Sequence, residues 1–210
     1  MKIAVLGATG WIGGTVAAEV QQRGHELVAL VRDPASFTLS AEARRADSLD
    51  PTSLEQALDG VELLIASIGG RASSRHDMVA ESARILLTVL PRTGVKRLLW
   101  VGGAGSLEVS PGVTLLSQPD FPDEYRDEAL AQGQALAVFR DADTPVDWTF
   151  VSPAAEIFPG ERSGHYRLGG DQLLTDAEGN SRISVQDYAK ALVDEAEAGQ
   201  YPRRRIGVAY

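Results

Sequence analysis

Apolar residues fall along the chain in two alternating patterns. Short continuous runs, Lys2 to Leu6, Glu26 to Val31, Val61 to Ala66, Arg97 to Val101, Val146 to Val151 and Arg205 to Ala209, are rich in Val, Ile and Leu. Runs of this kind predict strands buried on both faces, and Ala43 to Ala46 predicts a shorter one. Between them, apolar residues recur at every third or fourth position, as in Ile12, Val16 and Val20, or Val79, Ala83, Leu86 and Leu90. That period predicts helices with one buried stripe. Leu54 and Leu58 mark another, Glu124 to Arg140 is helical by composition, and Tyr188, Ala189, Leu192, Val193 and Ala196 line a last one.

The residues between these segments agree with that division. Gly24 and Gly60 close helices, Asp50-Pro51-Thr52 opens one with proline in its first turn, and Pro91 and Gly94 end another. Ser184-x-x-Asp187 reads as a capping box, with the serine on a backbone N–H and the aspartate reaching back. Glu108 to Asp123, with three prolines, predicts a long loop, and Gly160 to Gly170 an irregular or hairpin segment. Strand and helix alternate throughout, which predicts an α/β fold of the Rossmann type: a doubly wound, mainly parallel sheet with helices on both faces. A chain of 210 residues suits a single domain, 1–210. A small substrate-side region is expected from roughly 106–123 and 153–183.

The first strand runs into Gly7-Ala8-Thr9-Gly10-Trp11-Ile12-Gly13, and a helical pattern follows at once. In that setting Gly7 lets the chain turn off the strand, Gly10 lets backbone approach a pyrophosphate, and Gly13 lets the helix pack close to the strand. The free N–H groups of the helix's first turn then face the phosphates. A P-loop is excluded, because Gly13 is followed by Gly14-Thr15 rather than Lys-Ser/Thr. Arg32 ends the second strand, where arginine accommodates the 2′-phosphate of NADP; in another register Asp33 would hold the ribose of NAD. The expectation is NADP(H) over NAD(H).

Further candidates cluster at the other strand ends. Asp47, beside Ser48, either accepts from the adenine amino group or caps its own turn. Ser67-Ile68-Gly69-Gly70 suits close passage of backbone beside the cofactor. Gly102-Gly103-Ala104-Gly105 implies a second such approach, and Ser106 either bonds a substrate or serves the turn. Trp11 is expected to pack over the cofactor or the cleft edge. Tyr125 is a candidate to stack on or bond a flat substrate, against a packing role. His76 reads more readily as a surface histidine than as a group at the nicotinamide.

Composition narrows the partners. The formal net charge of -9 argues against nucleic acid or an anionic membrane, so the partner is expected to be a small molecule. Cysteine is absent, which removes disulfides, thiolate zinc sites and a cysteine nucleophile. His25, His76 and His165 lack metal-ligand spacing, so no metal is expected. Gly103-Ala104-Gly105-Ser106-Leu107 is not a hydrolase elbow. The chain enters its first strand without a basic or apolar leader, which makes the cytoplasm the expected location.

These stations resemble the atypical short-chain dehydrogenase/reductase family. They are most similar to small NAD(P)H-binding proteins of the NADH-flavin reductase type and to biliverdin reductase B. The resemblance rests on Gly7 to Gly13, Leu30-Val31-Arg32, Val101 to Ser106, Asp147-Trp148-Thr149-Phe150-Val151-Ser152-Pro153-Ala154 and Ile183 to Ala189. It implies that Thr9 to Ile12 line the pyrophosphate, Arg32 meets the adenosine ribose or its 2′-phosphate, and Asp47 and Ser48 border the adenine. It also implies that Ser67, Ile68 and Gly69 pass along the cofactor, that Gly103 and Ser106 approach the nicotinamide side, and that Pro153 and Ala154 border the nicotinamide.

One departure carries weight. Typical members use Tyr-x-x-x-Lys, the lysine lowering the phenol pKa so that tyrosine can exchange a proton. Here the fourth residue after each tyrosine that has one is Ala129, Gly170, Leu192 or Arg205, and Tyr210 ends the sequence. Carbonyl–alcohol interconversion by that route is therefore not expected. Hydride transfer to a free flavin or a similar flat acceptor (a quinone or tetrapyrrole) fits, since it needs alignment and desolvation more than a dedicated acid. Flavin enters as a possible substrate, not a tightly held group. The alternatives are a non-catalytic NADP(H)-binding redox sensor and, less favoured, a sugar-nucleotide epimerase or dehydratase.

Overall fold

The computed structural model describes residues 1–71 and 74–210, and in it the apolar runs assemble into an eight-stranded sheet between two helical layers. In chain order the elements begin β1 (Lys2–Leu6), α1 (Trp11–Gln22), β2 (Glu26–Val31), β3 (Glu42–Arg45), α2 (Pro51–Ala57), β4 (Leu63–Ala66), α3 (Asp77–Val89) and β5 (Arg97–Val101). There follow β6 (Glu108–Ser110), β7 (Val113–Thr114), α4 (Asp123–Asp141), β8 (Asp147–Ser152), β9 (Glu156–Phe158), β10 (Arg167–Gly169), β11 (Arg182–Ser184), α5 (Val185–Ala198) and β12 (Arg204–Ala209).

The sheet order is β3-β2-β1-β4-β5-β8-β12-β10, parallel except for the antiparallel edge strand β10. The chain winds outward from β1 to β3 and then returns to the other side of β1 as β4. The β1/β4 junction is thus a topological switch point, where two crossovers leave in opposite directions and open a crevice beyond the carboxyl ends of the strands.

Strand residues divide by alternation. Ala4, Leu6, Val28 and Leu30 pack with Leu54, Val79, Leu86, Trp100 and Phe139 on the α2–α3–α4 side. Ile3, Val5, Leu27 and Ala29 pack with Val16, Val20, Tyr188 and Leu192 on the α1–α5 side. No helix among the described residues is long and apolar enough to cross a membrane.

Several expectations shift. The stretch expected as a long loop, Glu108 to Asp123, contains the β6–β7 hairpin, turned at Gly112 with φ +75°. Strands of three and two residues are too short to show alternation. The segment at Gly160 to Gly170 supplies β10, and β9 with β11 forms a small parallel pair beside the main sheet. β4 starts at Leu63 because Val61 N–H is still bonded to Leu58 O at 3.1 Å, closing the preceding turn.

The capping box is half made. Ser184 Oγ accepts from Asp187 N–H at 3.1 Å, but the Asp187 carboxylate turns away from the serine backbone N–H. It accepts instead from Ser163 Oγ (2.6 Å), Gly164 N–H (2.8 Å) and the Tyr210 hydroxyl (2.7 Å). Ser184 N–H goes to the Tyr210 oxygen at 3.2 Å. Ser163 N–H adds a fourth donor at 3.0 Å, so the fully buried carboxylate is satisfied, tying the 160–164 segment and Tyr210 to α5.

Candidate active site at the switch point

The glycine turn sits at the carboxyl end of β1. Gly7 takes φ +84°, and a Cβ there would lie 2.2 Å from Ser67 O on β4's exit, so no other residue fits. Gly10 N–H closes the turn on Gly7 O at 3.0 Å. A Cβ on Gly13 would lie 2.2 Å from the same Gly7 oxygen, so helix and turn touch backbone to backbone. Gly10 differs: its added Cβ meets only Gly7 O, at 3.3 Å, and points otherwise into open space. As the N-cap of α1, Gly10 offers no side chain, and no acidic residue occupies the first turn. The N–H groups of this helix start are left for an anion, with the positive dipole end behind them. The cradle fits a dinucleotide's pyrophosphate.

Toward β2 and β3, Arg32 is exposed, and no hydrogen bond or ion pair ties its guanidinium to the described residues. Asp33 caps the following turn, its Oδ1 accepting from Ala35 N–H at 3.1 Å. Asp47 likewise serves its turn, accepting from Leu49 N–H at 3.0 Å. Its outer carboxylate edge stays exposed. Ser48 is buried and accepts from Ser82 Oγ at 2.9 Å, facing α3.

On the far side of the switch point, Ser67, Ile68, Gly69 and Gly70 leave β4 under α4. Gln132 of α4 donates to Ile68 O (2.9 Å) and Glu128 Oε1 (3.2 Å), and accepts from the Trp100 indole N–H (3.0 Å). Glu128 Oε2 accepts from Gly70 N–H at 2.9 Å and pairs with His76 Nδ1 at 3.1 Å. Gly103 lies against Gln132. Pro153 and Ala154 are buried just past β8. Tyr125, one turn before Glu128 on α4, is 44% exposed with the Arg71 guanidinium 4.7 Å from its ring centre.

Two candidates lie elsewhere in the network than the strand-end motif suggests. Ser106 Oγ accepts from Arg205 Nη1 at 3.0 Å, and that buried guanidinium is clamped by Asp171, which Arg140 also reaches at 2.5 Å. The serine is thereby occupied by β12. Trp11 is 51% exposed on the outer side of α1, lining a groove of about 570 Å³ with Gly14, Thr15, Ala18, Arg162 and Gln186.

Glu128 and Gln132 were not among the expected site residues. Their spacing with Tyr125 puts three polar groups on one face of α4, beside buried Ala129, Ala131 and Ala135. A polar stripe on a packed helix face is the signal that marks them.

No lysine comes to the crevice from elsewhere in the chain. Lys2 begins β1 and pairs with Glu26 and Glu42, and Lys96 precedes β5, both at the opposite end of the sheet. Lys190 does meet a tyrosine: it lies 5.1 Å from the Tyr166 ring centre and bonds Asp194 at 2.6 Å. The Tyr166 hydroxyl also bonds Asp194. Burial, then the Asp194 carboxylate, push that phenol well above its ordinary pKa, the reverse of what proton exchange requires. Arg23, just past the carboxyl end of α1, pairs with the same Asp194 at 2.7 Å, which places this pair away from the glycine turn. Tyr188 is fully buried, its hydroxyl on Val151 O at 2.6 Å.

The sequence model of the NAD(P)H-binding family matches residues 7–198. Among solved structures, a "putative exported protein" from Burkholderia pseudomallei is 43% identical, with each chain covered in full and a TM-score of 0.92. A "putative epimerase" from Bacteroides thetaiotaomicron is 32% identical, covering 100% of this chain and 96% of that one, with a TM-score of 0.92. A "putative NADH-flavin reductase" from Streptococcus pneumoniae TIGR4 is 35% identical, covering 100% and 99%, with a TM-score of 0.87. The three names point to different roles, so the likeness speaks for fold and nucleotide, and the reaction has to be argued from the site.

Proposed function

The chain belongs to the NAD(P)H-binding family, and from that premise we propose that it is an NADPH-dependent reductase. Its acceptor is a freely exchanging flavin or a similar flat, conjugated molecule such as a quinone or tetrapyrrole. The observation that carries this reading is the α4 face over the crevice. It presents Tyr125, Glu128 and Gln132, has buried Ala129 four residues after the tyrosine, and no lysine reaches it. Without an ammonium to lower a phenol pKa, alcohol oxidation and the epimerase route lose their base. A bound dihydronicotinamide supplies hydride, and what remains for the chain is to hold, orient and dry the reactants.

Those tasks have candidates. Gly7, Gly10 and Gly13, with Thr9, Trp11 and Ile12, shape the pyrophosphate cradle, and Arg32, exposed and without an ion pair to the described residues, is the cation for a 2′-phosphate. Asp47 and Ser48 border the adenine, Ser67 to Gly69 pass along the cofactor, and Gly103, Pro153 and Ala154 flank the nicotinamide side. The acceptor lies against Tyr125 and the region built from 106–123 and 153–183. Those two segments are joined where Glu108 N–H donates to Asp171 O and Leu173 N–H to Glu108 O, both at 2.8 Å. The partner is a small molecule in the cytoplasm, in keeping with a net charge of -9.

The test is NADPH oxidation, followed by loss of its near-ultraviolet absorbance, with FMN, riboflavin or a naphthoquinone added. Turnover dependent on acceptor supports the reductase. Tight NADPH binding with no turnover on any acceptor would sink it and leave a redox-sensing regulator.

A further inference from the structure

We propose that His76, held by Glu128, donates the proton that accompanies hydride transfer. The preferred acceptor is then a conjugated carbonyl, quinone- or enone-like, whose oxygen gains negative charge as it is reduced. This rests on the reductase reading above and narrows its acceptor class.

The pair is built into the end of β4. Its carboxylate can only accept, so the 3.1 Å contact places a proton on His76 Nδ1 and leaves Nε2 as the working nitrogen. No described residue bonds Nε2. Glu128 is fixed in turn by Gly70 N–H and by Gln132, itself anchored to Ile68 O and Trp100.

The glycine pair expected to clear a path for the cofactor makes room for this dyad as well. A Cβ on Gly70 would lie 2.6 Å from His76 Cα and 2.7 Å from its Nδ1, and one on Gly69 would lie 3.1 Å from Glu128 Oε1. The imidazole and carboxylate are 28% and 20% exposed, so both are gripped by the fold yet open on one edge. The nearby cations do not compete for Glu128: Arg75 pairs with Asp77 at 2.9 Å, and Arg71 covers Tyr125. The dyad sits on the β4 side of the switch point, with Tyr125 one turn before Glu128 on α4.

In the step inferred, hydride from the reduced nicotinamide adds at one end of the acceptor's conjugated system. The π pair moves to the carbonyl oxygen, and that oxygen takes the Nε2 proton. The acceptor gains two electrons and two hydrogens, the dinucleotide is oxidised, and the imidazole is reprotonated from water. Glu128 is a positioning residue, holding the ring's orientation through the 3.1 Å contact to Nδ1.

The experiment measures naphthoquinone-dependent NADPH oxidation in wild type, His76→Ala, His76→Gln and Glu128→Gln, with NADPH affinity and melting temperature alongside. His76→Ala is expected to lower kcat by about 100-fold or more with a smaller change in KM. Added imidazole restores part of that kcat, and the wild-type solvent deuterium isotope effect disappears. Glu128→Gln lowers kcat without imidazole rescue. In nucleotide-free protein, NMR shows an exchange-protected His76 Nδ1–H that is lost in Glu128→Gln. Should His76→Ala not fold, His76→Gln carries the kinetic test.

Unchanged naphthoquinone turnover in a folded His76 variant overturns the proton donor while leaving the reductase intact. So does wild-type turnover of FMN with none of the naphthoquinone. A wild type that binds NADPH and reduces nothing overturns both.

Discussion

Gly10 and Gly13 lie three residues apart in one turn, yet their alanine variants should fail in different ways. At Gly13 the added methyl would sit 2.2 Å from the Gly7 carbonyl oxygen and 2.8 Å from its carbon. Neither atom can retreat, because Gly7 is itself pinned at φ +84° with Ser67 O behind it. Relief requires moving α1 off β1, an overpacking cost of about 1–3 kcal/mol. For a domain of this size each kcal/mol lowers Tm by about 2–4 °C, so Gly13→Ala should melt roughly 2–12 °C below wild type. At Gly10 the backbone is already at φ -77°, ψ 165°, open to any residue, and the methyl meets only one atom at 3.3 Å.

The poorer helix cap and the reduced unfolded-state entropy at Gly10 are each worth about 0.5–1 kcal/mol and oppose one another. Gly10→Ala should therefore melt within about 3 °C of wild type. Its methyl occupies the space the pyrophosphate would approach, so NADPH affinity should fall by at least about 10-fold, a loss of 1.4 kcal/mol. Scanning fluorimetry and NADPH fluorescence titration on the same preparations separate the two effects. A Gly10→Ala protein that keeps both its Tm and its NADPH affinity would refute the assignment of the cradle. A Gly13→Ala protein with unchanged Tm would refute the packing argument.

Arg32→Ala should weaken NADPH by about 10- to 150-fold, the worth of a charge-assisted contact of about 1.5–3 kcal/mol, while NADH affinity stays within about twofold; equal loss for both would remove the 2′-phosphate role. For Asp187, burial pushes the carboxyl upward, but bonds from Ser163, Tyr210 and Gly164 outweigh it and hold the pKa below the ordinary range. A depressed folded-state pKa stabilises above the unfolded value near about 3.9 and loses that contribution as pH falls through the folded value. Asp187→Asn should therefore be about 1–3 kcal/mol less stable at neutral pH. Denaturant titrations should show the gap narrowing below about pH 4, and a gap constant with pH would contradict the sign. Phe139, buried with Trp100, Trp148 and Phe150 ring centres 5.3, 5.4 and 6.0 Å away, should cost about 3–5 kcal/mol as Phe139→Ala in a urea melt.

Much of this molecule is local in origin, and those parts can be read from the chain alone. A strand, three glycines at fixed spacing and an amphipathic helix specify one another within about twenty residues, because φ/ψ limits and side-chain periodicity act over one or two turns. The end of β2 at Val31, the exposed Arg32 and the absence of Lys four residues after any tyrosine belong to the same class. The β6–β7 hairpin is not legible in this way despite its Pro111-Gly112 turn, since its strands are too short to carry a period.

Other features arise only when distant residues meet. Whether Ser106 faces a substrate or Arg205, 99 positions away, is decided by how β12 inserts beside β8. Asp187 fits a local capping motif, yet the 160–164 segment and Tyr210 offer its carboxylate better-placed donors. His76 meets Glu128, 52 positions further on, over two glycines, a contact that no local pattern encodes. The glycine turn and the helix start behind it are written in the chain alone, because steric rules within a few residues suffice for them. Which polar groups surround that turn follows only from the assembled fold, because their partners depend on the winding of the sheet, which no short-range rule encodes.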